Sequence, residues 1–177
     1  MEDIVKIPKE RIAVLIGRKG EIKRGLEEKT NTKLTIDSQT GSVIIKGEAV
    51  DVYDTKPIIR AIARGFNPET AELLLDEENI VEVIDIKDFS GRSKKKMTRL
   101  KSRCIGKEGK ARENIEIMTN TNISIYGKTI SIIGDVENCE LARKAIINLL
   151  NGSPHGNVYK WIQNRKRRVS LDISQSY

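Results

Sequence analysis

The sequence predicts an α+β protein made of two copies of one small domain, followed by a C-terminal helix. The first observation is an internal repeat: residues 16–20 (IGRKG) match residues 105–109 (IGKEG), and residues 30–32 match residues 119–121, at an offset of 89 positions in both cases. This spacing is too long for one unit of a solenoid, so it indicates a duplicated domain. The second observation is that 38% of the 177 residues are hydrophobic, which is enough for two small cores.

The first copy has the order β-α-α-β-β-α. Its predicted elements are a strand at 4–7, helices at 11–16 and 21–29, strands at 34–36 and 43–45, and a helix at 51–66. We expect Asn31 to end the second helix in the left-handed conformation, which Asn tolerates better than most residues. A turn containing Gly41 joins the last two strands. Because Pro57 is unfavourable inside a helix, the regular part of the last helix is expected to follow it.

The second copy repeats this order. Its predicted elements are a strand at 79–86, helices at 94–104 and 110–118, strands at 122–126 and 129–133, and a helix at 137–150. The strand at 79–86 is apolar on both faces, so either face can point to the core. A short linking helix is expected at 69–75, and a basic helix at 155–168 has Val158, Trp161 and Ile162 on its apolar face. The predicted boundaries are a first domain at 1–66, a linker at 67–78, a second domain at 79–152, and a C-terminal basic helix and tail at 153–177.

A Gly-x-x-Gly loop between two short helices occurs once in each copy, and in this element order it resembles the KH domain of type I. The resemblance implies two tandem KH domains, each with a three-stranded sheet and three helices, that bind single-stranded RNA. In KH domains the loop holds about four nucleotides of backbone while the bases lie in an apolar groove. The groove residues implied by the resemblance are Ile16, Leu34 and Ile36 in the first copy, and Ile105, Ile123 and Ile125 in the second. For the strand positions among them, a role as plain core residues is the alternative.

The chemistry of the loop follows from its two glycines. Without side chains there, the backbone can lie close to ribose and phosphate, and the helix that begins after the loop presents free N–H groups to the phosphates. Lys23 and Arg112 occupy a position that is usually apolar in KH domains; a long basic side chain there either reaches a phosphate or remains a solvated surface charge. The residues predicted to bind RNA are Gly17, Arg18, Lys19, Gly20, Lys23, Arg103, Ile105, Gly106, Lys107, Glu108, Gly109, Lys110, Arg112, Ile123 and Ile125.

Charge is unevenly distributed along the chain. The 32 Lys and Arg residues exceed the 25 Asp and Glu residues, and the net charge of +7 favours a polyanionic partner such as RNA. Residues 92–112 hold ten Lys or Arg against Glu108 alone, whereas residues 69–88 hold eight acids against Lys87 alone. Because the basic run leads into the second loop, the second copy is the predicted main RNA site, and a merely solvated face is the alternative. Residues 165–168 (RKRR) form a second basic cluster.

The sequence contains no motif of an enzyme. It has no Walker loop, no Gly-x-Ser-x-Gly and no cluster of metal ligands, since Cys104 and Cys139 are its only cysteines and His155 is its only histidine. We therefore expect no catalytic residue, no cofactor and no metal, and two reduced, partly buried thiols. No apolar run reaches the roughly 18 residues that span a bilayer, and the N-terminus does not resemble a signal peptide. A cytoplasmic protein without membrane contact is expected.

One further run narrows the resemblance. After the last KH helix, residues 155–160 (HGNVYK) resemble the partner of Nob-one family, whose members act at the 3′ end of small-subunit ribosomal RNA. The resemblance implies a role in ribosome biogenesis, namely binding the 3′ region of small-subunit rRNA or its precursor and assisting its processing. The endonuclease Nob-one and other small-subunit factors are the implied partners. Intact glycines in both loops favour an archaeal member. A general KH regulator of mRNA and a protein adaptor on the small subunit remain open as alternatives.

Overall fold

Two three-stranded sheets, one in each half of the chain, organise the fold, and the computed structural model describes residues 1–174. The chain divides into two compact units, Met1–Val81 and residue 82 onward, and the division falls within the first strand of the second copy, which is described with the second unit. Each unit contains the order β-α-α-β-β-α. The predicted α+β fold of two tandem type I KH domains with a C-terminal helix is therefore confirmed. The predicted tail residues 175–177 lie outside the described part of the chain.

The first unit packs helices against a sheet with the strand order β1-β3-β2. Its elements are β1 (Glu2–Lys6), α1 (Lys9–Ile16), α2 (Glu21–Thr30), β2 (Lys33–Asp37), β3 (Ser42–Lys46) and α3 (Ala49–Ala63). Both strand pairs are antiparallel, with Val5 opposite Val43 and Leu34 opposite Ile45. All four side chains are buried, because alternate residues of a strand share the face that packs on the helices.

Pro57 does not interrupt α3. The helix is continuous from Ala49 to Ala63, so the prediction that its regular part follows Pro57 is wrong. Proline removes the N–H that would donate to the carbonyl of Tyr53, and Tyr53 lies on the exposed face, where water can satisfy that carbonyl. Val52 and Ile58, one on each side of the proline, are fully buried, and their packing holds the helix together across it.

The predicted linking helix forms and belongs to the first unit. It consists of α4 (Pro68–Ala71) and a 3₁₀ turn (Glu72–Leu75). Asn67 caps α4, since its side-chain oxygen accepts a hydrogen bond from the Thr70 N–H at 2.8 Å. Ala71 is fully buried, and Glu72 is paired with Lys29 at the end of α2. This segment therefore packs on the helices of the first unit.

The second unit has the strand order β4-β6-β5 and one helix that the sequence did not predict. Its elements are β4 (Asn79–Asp85), α5 (Lys87–Ser90), α6 (Lys94–Ile105), α7 (Lys110–Thr119), β5 (Asn122–Tyr126), β6 (Thr129–Asp135) and α8 (Val136–Leu150). In β4, Ile84 is buried and Val83 is exposed, which decides the face that the sequence left open. The unpredicted helix is α5, whose four residues are too few to show a helical period.

The C-terminal helix α9 (His155–Ser174) extends beyond its predicted end and packs on the second unit. Val158 and Ile162 on its predicted apolar face are buried. The His155 Nε2 atom lies 2.8 Å from the Arg103 carbonyl oxygen, and the Lys166 ammonium donates to the Met118 carbonyl at 2.7 Å. The basic cluster at 165–168 is therefore helical. Within residues 1–174, no helix is long and apolar enough to cross a bilayer.

Candidate nucleic-acid interface

The two Gly-x-x-Gly loops have the same backbone conformation. In the first loop, φ is +71° at Gly17, +51° at Lys19 and +76° at Gly20. In the second loop the corresponding angles are +75° at Gly106, +54° at Glu108 and +75° at Gly109. Three left-handed residues within four positions turn the chain sharply between the two helices, and two of the three are glycines because they adopt this conformation without strain. The predicted loops are thus present in both copies.

The two glycines of each loop are required for different reasons. A Cβ atom on Gly17 would lie 2.2 Å from the Cγ1 atom of Ile22, and one on Gly106 would lie 2.6 Å from the Cβ atom of Ala111. The first glycine therefore lets the loop pack onto the helix that follows. A Cβ atom on Gly109 would meet no atom within 4 Å, so the second glycine faces open space. Its bare backbone is accessible to a ligand that approaches from outside.

A helix begins directly after each loop. Helix α2 starts at Glu21 and α7 at Lys110, and each runs for ten residues. The N–H groups of the first helical turn have no partner within the helix, and they add to the positive end of the helix dipole. Lys19 and Lys107 are exposed on the loops themselves. The geometry thus places backbone donors and cations around a side-chain-free surface, which suits a phosphate chain.

The implied groove residues divide into accessible and buried ones. Ile36 and Ile125 are half-buried, Ile16 is also half-buried, and Ile105 is 37% exposed. These side chains can contact a ligand beside the loop. Leu34 and Ile123 are only 1% and 3% exposed, so at these two strand positions the structure favours the alternative of plain core residues. Leu34 and Ile123 share a face with Ile36 and Ile125, so burial and not side-chain direction distinguishes the two pairs.

Lys23 and Arg112 are neither isolated surface charges nor unpaired cations. The Lys23 ammonium lies 3.6 Å from Glu27, and the Arg112 guanidinium lies 3.9 Å from Glu116, one helical turn further on. A contact with phosphate therefore remains a prediction for both cations, which already have a carboxylate partner. The two glutamates are not among the residues predicted from the sequence, although they are related by the same offset of 89 positions as the two loops.

Glu27 and Glu116 fasten the helix after the loop to the strand that borders the groove. One oxygen of Glu27 accepts the backbone N–H of Leu34 at 2.7 Å, and Glu116 accepts the N–H of Ile123 at the same distance. These N–H groups belong to β2 and β5, which are edge strands. The N–H groups that the glutamates bind point away from the sheet. Because residues two positions apart in a strand direct their N–H and C=O to the same side, those of Ile36 and Ile125 also lie on the open edge. Such groups can hydrogen-bond the edge of a base.

The repeated Thr-Asn-Thr run has a structural role. Asn31 and Asn120 have φ values of +51° and +52°, so each ends its helix in the left-handed conformation, as predicted for Asn31. The Thr30 hydroxyl donates to the Leu26 carbonyl at 2.7 Å and lies 2.7 Å from the Thr32 hydroxyl. The threonines at 119 and 121 make the same contacts. This turn sets where the edge strand starts relative to the loop.

Arg103 has structural contacts that the sequence did not indicate. Its guanidinium donates to the carbonyls of Leu149 at 3.2 Å and Ser153 at 2.6 Å, at the end of α8. Arg11 makes equivalent contacts at the end of α3, with the carbonyls of Ile62 and Phe66. A cation at a helix C-terminus is stabilising, so both arginines hold the closing helix of their unit. A contact between Arg103 and RNA remains a prediction.

The two cysteines do not contribute reactive groups. Neither Cys104 nor Cys139 forms a disulfide, and both are fully buried, which goes further than the partial burial expected from the sequence. Burial raises the pKa of each thiol from 9.0 to about 12. Both thiols are therefore protonated at neutral pH and lack the thiolate that nucleophilic attack or metal binding needs.

These loops, grooves and edge strands define a protein with two KH domains of type I. Two family models match the chain, one described as "KH domain" over residues 2–61 and one described as "Eukaryotic type KH-domain (KH-domain type I)" over residues 80–167. A KH domain-containing protein of Methanocaldococcus jannaschii is 42% identical over 172 residues, covering 94% of this chain and 75% of that protein. The chain belongs to the KH domain family of RNA-binding proteins, and within it to the tandem KH proteins named Dim2 or PNO1.

Two further comparisons concern relatives whose names indicate a role. A crystal structure of the a/eIF2alpha–aDim2p–rRNA complex from Pyrococcus horikoshii OT3 contains a chain that is 43% identical, with a TM-score of 0.87 and 95% coverage of both chains. A pre-rRNA-processing protein PNO1 of Coccidioides immitis is 31% identical over 128 residues, which cover 65% of this chain and 50% of that protein. The resemblance to the partner of Nob-one family that the sequence indicated is thus confirmed.

Proposed function

We propose that this chain binds single-stranded RNA from the 3′ region of small-subunit rRNA or its precursor and assists its processing during ribosome biogenesis. The observation that supports it most directly is the pair of Gly-x-x-Gly loops, each followed by a helix N-terminus and bordered by an accessible apolar groove and an open strand edge. The Pyrococcus relative was crystallised with rRNA, and the fungal relative is named for pre-rRNA processing. This combination favours ribosomal RNA over mRNA as the ligand.

RNA binding divides into a backbone contact and a base contact. Phosphates lie on the glycine backbone and accept hydrogen bonds from the first turn of the following helix. Bases then face the groove beside Ile105 and Ile125 in the second unit, where the backbone groups of β5 can pair with their polar edges. We assign the main site to the second unit, because its loop lies within residues 92–112, which hold ten cations.

The chain acts in this proposal by binding and not by catalysis. Its role is to hold the RNA in a fixed position while an endonuclease such as Nob-one cuts it. Incubating the purified protein with Mg²⁺ and an RNA that spans the 3′ processing site should leave the RNA intact. Specific cleavage by the protein alone, abolished in a variant with a disrupted second loop, would contradict a binding-only role.

The proposed target is tested by crosslinking the protein to RNA in cells and sequencing the attached fragments. We expect fragments to concentrate near the 3′ end of small-subunit rRNA. Fragments spread over many mRNAs would instead support a general KH regulator, and recovery of small-subunit proteins without RNA would support an adaptor. The matched control is a variant of the second loop that carries Lys107→Asp and Glu108→Asp, which should lose the rRNA fragments while remaining folded.

Protein partners are part of the same proposal. The endonuclease Nob-one is the partner implied by the family, and a/eIF2alpha is the protein found with the Pyrococcus relative. Affinity purification of the tagged chain, before and after ribonuclease treatment, separates direct protein contacts from contacts through RNA. Location in the cytoplasm remains a prediction, which fractionation of the same cells would test.

A further inference from the structure

The second unit contains a segment that the first unit lacks. In both units the residue after the first strand is a buried isoleucine whose N–H donates to a carbonyl in the hairpin turn. Ile7 donates to the Gly41 carbonyl at 2.8 Å, and Ile86 donates to the Lys128 carbonyl at 2.9 Å. After this common anchor, Pro8 alone separates Ile7 from α1, whereas residues 87–93 separate Ile86 from α6. The inserted residues form α5 and its following turn, so the surface beside α6 differs from the surface beside α1.

The insertion forms one wall of a cleft of about 630 Å³. The opposite walls are helix α6 and the end of α8 around Leu150. Phe89 on α5 is half-buried and lines the cleft, and Lys96 and Arg99 on α6 are exposed residues of the same lining. Arg103 also lines the cleft. Asp88 is the single acid among the lining residues, so the cleft is positively charged.

The cleft lies along α6, the helix that leads into the second Gly-x-x-Gly loop. Lys96, Arg99 and Arg103 lie on one face of α6, since they are spaced by three and four positions. Helix α6 ends at Ile105, immediately before Gly106. With a rise of about 1.5 Å per residue, Arg99 lies about 10 Å along the helix from that glycine. Around the helix, these three cations lie roughly 120–180° from Ile105. A strand that continues from the loop therefore has to cross the exposed side of α6 as well as follow it for about 10 Å to reach the cleft.

We propose that this cleft binds a nucleotide that flanks those held by the second KH groove, an inference that rests on the proposed function. Phe89 offers a flat apolar surface on which a base can stack, and stacking of this kind accepts any base. Lys96 and Arg99 lie beside it where the attached phosphates would pass, and Asp88 can accept a hydrogen bond from an amino group of the base or from a ribose hydroxyl. Because α5 is absent from the first unit, only the second unit has this additional site.

The fixed position of the cleft walls favours binding without rearrangement. Ser93 caps α6 by accepting the Lys96 N–H at 3.1 Å, and Ser90 at the end of α5 is buried. Arg103 is held by the Leu149 and Ser153 carbonyls, so its charge is kept beside the cleft that it lines. A preorganised aromatic surface with nearby cations is the arrangement that single-stranded nucleic acid binds.

The test compares two RNAs that differ only in length. One has about four nucleotides, the number that a KH groove holds, and the other extends the same sequence on both sides. Binding is measured by fluorescence anisotropy with the full chain. We expect Phe89→Leu, which keeps an apolar side chain without an aromatic face, to weaken binding of the longer RNA by about 10-fold and to leave the short RNA unchanged. Phe89→Trp should retain wild-type affinity for both RNAs.

The charged residues have a matched control on the same helix. The double variant Lys96→Gln and Arg99→Gln should reduce the salt dependence of the longer RNA by about 0.7 in log–log slope for each phosphate that the two cations neutralise. Lys94→Gln with Lys95→Gln removes the same charge outside the cleft, and we expect a smaller change in slope. Thermal unfolding of every variant checks that the second unit remains folded.

The outcomes separate the cleft from the KH grooves. Weaker binding confined to the longer RNA, together with a crosslink from a photoreactive flanking nucleotide to Phe89, would support the proposal. Equal weakening on both RNAs, or no change on either, would overturn it, because the cleft would then contribute only general charge or nothing. If the wild-type protein failed to bind even the short RNA, the proposed function itself would be wrong, which is a different result from a failure of the cleft.

Discussion

The unequal roles of the two loops can be tested by placing acids in each loop separately. One variant carries Lys107→Asp and Glu108→Asp, and the other carries Arg18→Asp and Lys19→Asp. Glu108 and Lys19 are in the left-handed conformation, which Asp tolerates better than most residues, so both loops should keep their backbone. The substitutions therefore change the charge that faces RNA without removing the glycines.

The size of the effect follows from charge. An exposed unit charge about 4 Å from a phosphate contributes about 1 kcal/mol in water. Lys107→Asp changes the local charge by two units, so binding should weaken by about 2 kcal/mol, or about 30-fold in Kd, if phosphate lies on the second loop. The variant at Arg18 and Lys19 changes the charge by about twice as much. It should nevertheless cost less affinity, because the first loop is the predicted minor site.

This comparison is informative because the larger charge change is placed at the site expected to matter less. The assay is fluorescence anisotropy with an RNA from the 3′ end of small-subunit rRNA, repeated over a series of salt concentrations. Circular dichroism of both variants confirms that they are folded. If the two variants lose affinity equally, or the first-loop variant loses more, the assignment of the main site to the second unit is wrong.

Three further predictions concern stability. Gly106→Ala should lower the free energy of unfolding, measured with urea, by about 2 kcal/mol or more, and Gly109→Ala should lower it by about 1 kcal/mol. Both positions have positive φ, but only the new methyl group at 106 would also collide with Ala111. Glu116→Ala should cost about 1 kcal/mol and weaken RNA binding, whereas Glu116→Gln, which keeps an acceptor for the strand, should cost less in the same assays. Burial raises the pKa of the Cys104 and Cys139 thiols from 9.0 to about 12 in the folded protein. Since the thiols of the unfolded chain lose their protons at lower pH than those of the folded chain, the free energy of unfolding should fall as the pH rises from 9 towards 12. Replacing both cysteines with Val should remove that part of the pH dependence, and a thiol reagent at neutral pH should label the wild-type protein only after unfolding.

The fold was predictable from the sequence because its signals are local and occur twice. The glycine loops, Asn31 at the end of α2 and the turns between strands all depend on residues that are neighbours in the chain. Pro57 was misjudged because tertiary packing of α3 outweighs a local preference. Helix α5 was missed because a single helical turn has no measurable period.

The site was predictable in position and less so in detail. Sequence spacing located the loops, but it could not separate Ile125, which is accessible, from Ile123, which is buried, because both point to the same face of β5. It also could not show that Arg103 caps α8, since its partners lie 46 and 50 residues away. Contacts of this kind depend on how the elements pack, and a pattern in the sequence records only that a charged residue is present.

The two units share a backbone and differ in how their cations are used. Lys23 and Arg112 are paired in the same way in both units, but in the first unit Lys29 is also paired with Glu72, and Arg24 donates to the Lys19 carbonyl. These contacts hold much of the positive charge of α2 within the protein. In the second unit, the run of cations in 92–112 surrounds the loop, and Lys107 and Lys110 are exposed on either side of Gly109. Because phosphate affinity depends on accessible charge, identical loops are compatible with unequal affinity, and the second unit is where we expect most of the binding free energy.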